Sequence, residues 1–396
     1  MRNTSRSLVV LLVALACAAA IGGCGKGKTT TPATTPAAPS GEPYVIGAMF
    51  AVTGDASSLG IPERNTAVML QEMINSSGGI NGHPLEIKIE DTKGENNEAV
   101  SAAKRLVERD KVLAIIGPSR TGTTMAVADY VESQQVPLIS CAAGIQIVEP
   151  PKKWVFKTPQ SDRAAVEKII DYLKAKGIQR VASISDDTAF GKGGRREIET
   201  LFPKAGIEVV AYEEYGPRDT SMVTQLTKIK GTRAQAVVCW GTPPGPAIVA
   251  KNMKQLAMGL PLVCSHGVAN RTFIDLAGDA ANGVVLPAGR LIVVDEIPAD
   301  NPQKAVLEEY AQRYKEKFNA DADTFGGHAW DAIQLVAAAL KTAGPDRAKI
   351  RDAIENTKGF VGTGGVFNFS PEDHNGLTKD AFVMVKVVDG KWKLAE

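Results

Sequence analysis

Cysteine is scarce in this chain of 396 residues: there are five, and two of them fall within the first 24 positions. Cys141, Cys239 and Cys264 remain, an odd number without a Cys-x-x-Cys pair, so the spacing gives no sign of a disulfide framework or a zinc ribbon. A single Cys239–Cys264 bridge stays open, although neighbouring parallel strands seldom offer the geometry and two small buried side chains are the simpler expectation. The four histidines are scattered, which speaks against a metal site. Neither sign of charge dominates: 45 Lys and Arg against 44 Asp and Glu leave a net charge of +1, and no broad field invites nucleic acid. Catalytic signatures are missing as well. The loop Gly117-Pro-Ser-Arg-Thr-Gly122 is neither a Walker loop nor a Gly-x-Ser-x-Gly elbow.

The apolar run Leu8–Ala20 is shorter than the roughly 20 residues of a membrane-spanning helix. Preceded by Arg2 and Arg6, it fits a signal-peptide core, and Ile21-Gly-Gly-Cys24 after it resembles a lipobox. Residues 1–23 therefore read as an export signal and Cys24 as a lipidation site, with an ordinary secretory signal as the alternative. Residues 24–43 are rich in Thr, Pro and Ala and have almost nothing to bury, which predicts an extended, disordered tether.

Beyond residue 43 the chain alternates short apolar runs with helix-period segments. That order predicts an α/β protein of two doubly wound parallel-sheet lobes with helices on both faces. The organising stretch is Val112–Gly144. An apolar run ends in Gly117-Pro118, a helical segment opens at a Thr/Gly-rich turn, and a second apolar run follows Val136, making a βαβ unit. Ligands bind such sheets at the carboxyl ends of the strands. On the first lobe those ends carry the loops containing Ser58 and Leu59, Thr121 and Gly122, and Ala142, Ala143 and Gly144. On the second they carry Phe190, Thr242 and His266. Arg120 invites a two-point clamp on a carboxylate, but next to Thr121 in a turn it is expected to point to solvent.

The whole stretch resembles the ligand-binding segment of the branched-chain amino-acid-binding proteins, solute receptors of ABC importers with the type I periplasmic-binding fold. Tyr44-Val-Ile-Gly-Ala, Thr53-Gly54, Gly78-Gly-Ile-Asn-Gly82, Asp186-Asp-Thr-Ala-Phe-Gly191 and Ala277-Gly-Asp-Ala-Ala-Asn-Gly283 extend the resemblance along nearly all of the chain after residue 43. It implies two lobes joined by a three-strand hinge, placed at 44–162 plus 290–372 and at 163–289 plus 373–396. It also implies that Thr121 donates a hydroxyl to a ligand carboxylate and that Ala142 offers backbone. Gly144 stands where the family has a Thr, keeping a backbone N–H, and Leu59 where an aromatic often covers the ligand. Phe190 and Thr242 replace tyrosines. His266 falls where the family places a glutamate for the ligand ammonium. That exchange matters most, because a buried ammonium needs a compensating anion and a neutral imidazole supplies one acceptor at best. Asp186 or Asp187 could supply the charge; otherwise a carboxylate without an amine, or a neutral solute, fits better.

The function expected is a non-enzymatic, lipid-anchored receptor outside the cytoplasmic membrane. It would bind an amino acid or related small carboxylate without a cofactor and deliver it to ABC permease subunits. The alternatives are a receptor of the same fold that signals to a kinase, and an exported hydrolase pairing Thr121 or a cysteine with His266.

Overall fold

The computed structural model describes residues 38–395, so the export segment, Cys24 and most of the tether lie outside the described residues. The first lobe is built from β1 (Tyr44–Phe50), α1 (Ser57–Ser76), β2 (Leu85–Asp91), α2 (Asn96–Lys104), β3 (Ile115–Ile116), α3 (Thr121–Ser133), β4 (Leu138–Ser140) and β5 (Val155–Lys157). Its five strands run parallel in the order β2-β1-β3-β4-β5. The alternation Leu85-Glu-Ile-Lys-Ile-Glu90 leaves one face of β2 half-exposed, and β2 accordingly forms an edge of the sheet.

The second lobe continues with α4 (Asp162–Ala175), β6 (Arg180–Asp186), α5 (Ala189–Lys204), β7 (Glu208–Tyr215), α6 (Val223–Lys230), β8 (Ala236–Trp240), α7 (Gly245–Gln255), β9 (Leu262–Cys264), α8 (Arg271–Ala277) and β10 (Val285–Ala288). The chain then returns to the first lobe as α9 (Lys304–Phe318), α10 (Thr324–Ala343), α11 (Arg347–Glu355) and a small hairpin, β11 (Phe360–Val361) with β12 (Val366–Phe367). It ends in the second lobe as the hairpin β13 (Val383–Val388) and β14 (Lys391–Leu394), which turns at Asp389-Gly390 and extends the seven-stranded order β14-β13-β10-β9-β8-β6-β7.

Each sheet carries apolar cores on both faces, the reason for its near-continuous apolar strands. In the first lobe, Ile46, Phe50, Leu70, Ile333 and Leu340 pack on one side, and Met49, Leu106, Val127 and Leu138 on the other. In the second, Val237, Cys239, Phe273 and Leu286 oppose Ile169, Phe202, Val238 and Trp240. Cys239 and Cys264 are register partners on β8 and β9, and both thiols are free and buried.

Three local features shape the path of the chain between the lobes. Strand β10 stops at Ala288, and residues Arg290–Glu296 form a tight helical turn. There the Arg290 guanidinium leaves the sheet for Gln303 Oε1 and the carbonyls of Asp380 and Ala381. The third crossing between lobes falls near Phe382, beyond residue 372, because His374 and Asn375 bond back to Val155, Lys157 and Pro159 of the first lobe. Helix α1 starts at Ser57, with Pro62 inside it. Proline has no N–H for the carbonyl four residues back. That Ser58 carbonyl accepts instead from Asn270 Nδ2 of the second lobe at 3.3 Å.

Candidate functional site

Between the lobes lies a cavity of about 500 Å³. Its first-lobe wall is made by the turn out of β3 and the start of α3. Gly117 has a φ of +88°, and a Cβ there would lie 2.3 Å from the Met49 carbonyl oxygen, so only glycine lets the chain leave β3 this way. Thr124 N donates to Arg120 O at 2.9 Å, the first bond of the helix. The earlier N–H groups of α3 have no intrahelical acceptor and face the cavity with the positive end of the helix dipole behind them. Hydroxyls in the loop divide between ligand and scaffold. Ser119 donates to Glu63 and accepts from Ala51 N, while Thr123 donates to Arg120 O. Burial pushes the Glu63 carboxyl well above the usual range.

Thr121 Oγ1 accepts from Gly144 N at 3.3 Å, which leaves its proton free to donate into the cavity. The same bond corrects two expectations about Gly144. Its N–H is taken by Thr121, and the residue does not line the cavity; a Cβ there would lie 2.5 Å from Thr121 Cγ2. Ser58 also stands apart, lining a separate groove with Arg218, Thr272 and Leu276. Leu59, Thr121, Gly122, Ala142, Ala143, Phe190, Thr242 and His266 all line the cavity.

Loop chemistry also sets the second-lobe wall. Thr188 caps α5, accepting from Gly191 N and donating to Asp186 Oδ1, and this presents Phe190. Ser265 caps the turn His266–Val268 and donates to Gly241 O, and this presents His266. The imidazole of His266 is buried amid Phe190, Trp240 and Phe382, with ring centroids 5.3–5.8 Å away, and neither of its nitrogens has a hydrogen-bond partner in the protein. Burial, with buried Lys157 and His328 nearby, holds its pKa down to about 3, so it is neutral. Asp186 does not reach this cavity. It faces a smaller one behind Thr242, shared with Arg120 and Tyr215, and Asp187 is exposed.

Several lining residues were not among the candidates. Arg120 is half-buried in the wall, not solvated, with its Nη1 3.4 Å from Gly94 O and no carboxylate within 4.0 Å among the described residues. Gln160 at the first crossing, Phe325 and His328 on α10, and Phe382 at the last crossing complete the floor. His328 was legible in principle, as an imidazole on the buried face of α10. Its Nδ1 has no partner, and burial beside Lys157 holds its pKa to about 3.

These two histidines predict a pH dependence. An imidazole in the unfolded chain titrates near 6.5, so between that value and about 3 the unfolded state binds the protons and the folded state refuses them. The share of stability that depends on these imidazoles is therefore lost as pH falls below about 6.5, by about 2 kcal/mol per histidine at pH 5. Asp323 and Asp331, each held up to about 7 by burial, act in the opposite sense and gain stability as pH falls toward 3.8. The histidine share is isolated by difference. In denaturant unfolding, His266→Phe is expected to gain about 2 kcal/mol relative to the parent chain between pH 7 and pH 5. An unchanged difference would mean that His266 is not held neutral in the fold.

The lobes touch around the cavity. Arg218 Nε lies 3.0 Å from Asp55 and its Nη2 3.7 Å from Glu95, and Gln146 Nε2 donates to Ala189 O at 3.1 Å. No group of three or more metal-ligating side chains occurs among the described residues. Thr121 and His266 share no hydrogen bond, so the nucleophile and base of a hydrolase are not assembled. No helix among the described residues is long and apolar enough to cross a membrane.

Two lobes, one on a parallel sheet and one on a mixed sheet ending in the antiparallel β13–β14 hairpin, with three crossings and a cavity at the strand ends, make the architecture of a receptor that holds a small molecule between its halves. The chain belongs to the periplasmic binding protein family, whose model matches residues 43–391, a family of non-enzymatic solute-binding proteins. It is similar to the Leu/Ile/Val-binding protein homolog 3 of Brucella melitensis, with 26% identity over 350 residues, 87% of this chain and 92% of that one. The leucine-, isoleucine-, valine-, threonine- and alanine-binding protein of Pseudomonas aeruginosa is 27% identical over 76% of this chain and 79% of its own. Among solved structures, an extracellular ligand-binding receptor from Rhodopseudomonas palustris superposes with a TM-score of 0.85 at 27% identity, covering 90% of this chain and all of that one. The branched-chain amino acid substrate-binding protein LivJ of Streptococcus pneumoniae, in complex with isoleucine, gives 0.81 at 26%, covering 90% and 99%.

Proposed function

We propose that this protein is the lipid-anchored, extracytoplasmic solute-binding component of an ABC importer. It takes one amino acid or related small carboxylate into the interlobe cavity and delivers it to a permease of the branched-chain amino-acid type. The observation that carries this reading is the cavity itself: about 500 Å³, within the range of small-molecule sites, walled on one lobe by the free N–H groups and Thr121 hydroxyl of α3 and on the other by Phe190 and His266. The similarity to Leu/Ile/Val-binding proteins supports the amino-acid side of the reading, and the family supports a location outside the cytoplasm.

Closure follows from differential binding. With the lobes apart, a ligand meets only the α3 side; with them together it also meets Phe190 and His266, so it stabilises the closed form by those added contacts. Arg218, with Asp55 and Glu95, contributes a solvent-exposed clasp between the lobes, and ion pairs so exposed add little to closure.

Cys24→Ser tests anchoring and binding together. The variant is expected in the soluble fraction, without incorporated fatty acid, and it should show saturable stabilisation by one class of small carboxylate and a compaction in X-ray scattering on binding. A variant still held by the membrane would remove the lipid anchor. A chain that answers no carboxylate, or turns one over, would remove the receptor reading.

A further inference from the structure

The cavity's charge inventory narrows the ligand beyond the reading just given, on which this inference rests. Among the described residues, Arg120 is the one lysine or arginine in the wall, and no carboxylate lies within 4.0 Å of it. Buried Lys157 donates to the Pro159 carbonyl beneath the wall, and burial holds its pKa down to about 7. Glu95, the acidic residue of the lining, is exposed and lies 3.7 Å from the Arg218 guanidinium. Asp186 is turned to the smaller cavity behind Thr242, where it accepts from Thr188 and lies near Arg120 without forming an ion pair with it, and Glu63 is closed off behind Ser119. Thus, among the described residues, nothing buried and anionic lines the cavity, while the Arg120 guanidinium and the amino end of α3 do. A carboxylate is favoured there and an ammonium is disfavoured, since a buried charge needs an opposite partner.

The other end of the cavity asks for something different. His266 is 7% exposed and His328 5%, and three of their four ring nitrogens have no partner in the protein. Buried polar atoms left without partners are rare in folded proteins. Each neutral imidazole offers one donor and one acceptor, which match a hydroxyl or a carbonyl but not a second charge. Phe190, Phe325 and Phe382 supply the apolar walls between.

We propose that the ligand is a carboxylate without an α-amine, with an apolar body and an uncharged hydrogen-bonding group at its far end, and that His266 is the residue that selects against amino acids. Its carboxylate is held by Arg120 and the start of α3, and its far group by the paired imidazoles. The histidine thereby does two jobs: it withdraws the counter-charge an ammonium requires and replaces it with neutral acceptors and donors.

The test compares amino acids with their amine-free counterparts by calorimetry and thermal shift on the Cys24→Ser chain. The pairs are L-leucine with isocaproate, L-phenylalanine with hydrocinnamate and L-tyrosine with desaminotyrosine. Each amine-free acid is expected to bind at least about 100-fold more tightly than its partner, and desaminotyrosine about 10-fold more tightly than hydrocinnamate. His266→Gln, which keeps an uncharged donor and acceptor, should retain the order. His266→Phe should abolish the advantage of desaminotyrosine, and His266→Glu should narrow the gap between acids and amino acids at least about 10-fold. Equal or tighter binding of the amino acids would overturn this inference and leave the receptor reading intact. Failure of every acid and amino acid to bind would overturn both.

Discussion

Replacing Gly194 by leucine is expected to destabilise the second lobe by about 3 kcal/mol or more and to lower the melting temperature by about 10 °C. Gly194 lies on α5 directly over Trp240, and a Cβ built there would come within 2.1 Å of the indole Cε2. Trp240 is fully buried on the central strand β8 and packs against His266 and Phe190, so it has nowhere to retreat without moving the cavity wall. Overpacking of this kind costs about 1–3 kcal/mol when neighbours can yield, and more when a large ring and a strand must shift together. Thermal unfolding measures the loss, and calorimetry with the best ligand should show weakened binding in the same variant. A melting temperature within about 2 °C of the parent would mean that α5 does not press on Trp240 as described.

Thr121→Val is expected to weaken binding of the best carboxylate ligand by about 10- to 100-fold, equivalent to about 1.4–3 kcal/mol, with a much smaller effect on the unliganded fold. The substitution keeps the branched shape and removes only the oxygen. Two bonds go with it: the donor aimed into the cavity, and the acceptor of the Gly144 N–H. The N–H loss is shared by free and bound states and so falls largely on stability. The donor loss falls on the bound state alone. Thr121→Ser, which retains the hydroxyl, should restore most of the affinity. If Thr121→Val binds as tightly as the parent chain, the carboxylate does not sit at the start of α3, and Arg120 must hold it elsewhere in the wall.

The relation between Arg120 and Gly144 shows where local reading stops. Both flank Thr121 in its immediate surroundings, and both were expected to behave in ways the tertiary structure reverses. Arg120 was expected to be solvated because it alternates with Thr121 in a turn. Asp186 and the second lobe, brought opposite by closure, give its guanidinium an enclosed position that no sequence window contains. Gly144 was expected to keep a free N–H for a ligand, and the hydroxyl of Thr121, 23 residues away, takes it. Hydrogen-bond partners distant in the chain are invisible to spacing, whatever the residue types suggest.

What the sequence by itself determined is the alternation of strands and helices, the parallel lobes and the set of loops at the strand ends. Those follow from the period of apolar residues and from turn chemistry, which act over a few positions. It also put an imidazole at position 266, at the end of a second-lobe strand. Only the tertiary structure decided which loop residues share one cavity and which, like Ser58, face away, and it alone drew in Gln160, His328 and Phe382. The physical reason is that a site closed from two lobes and a hinge is assembled by packing between segments up to about 320 residues apart, for which no local pattern is required.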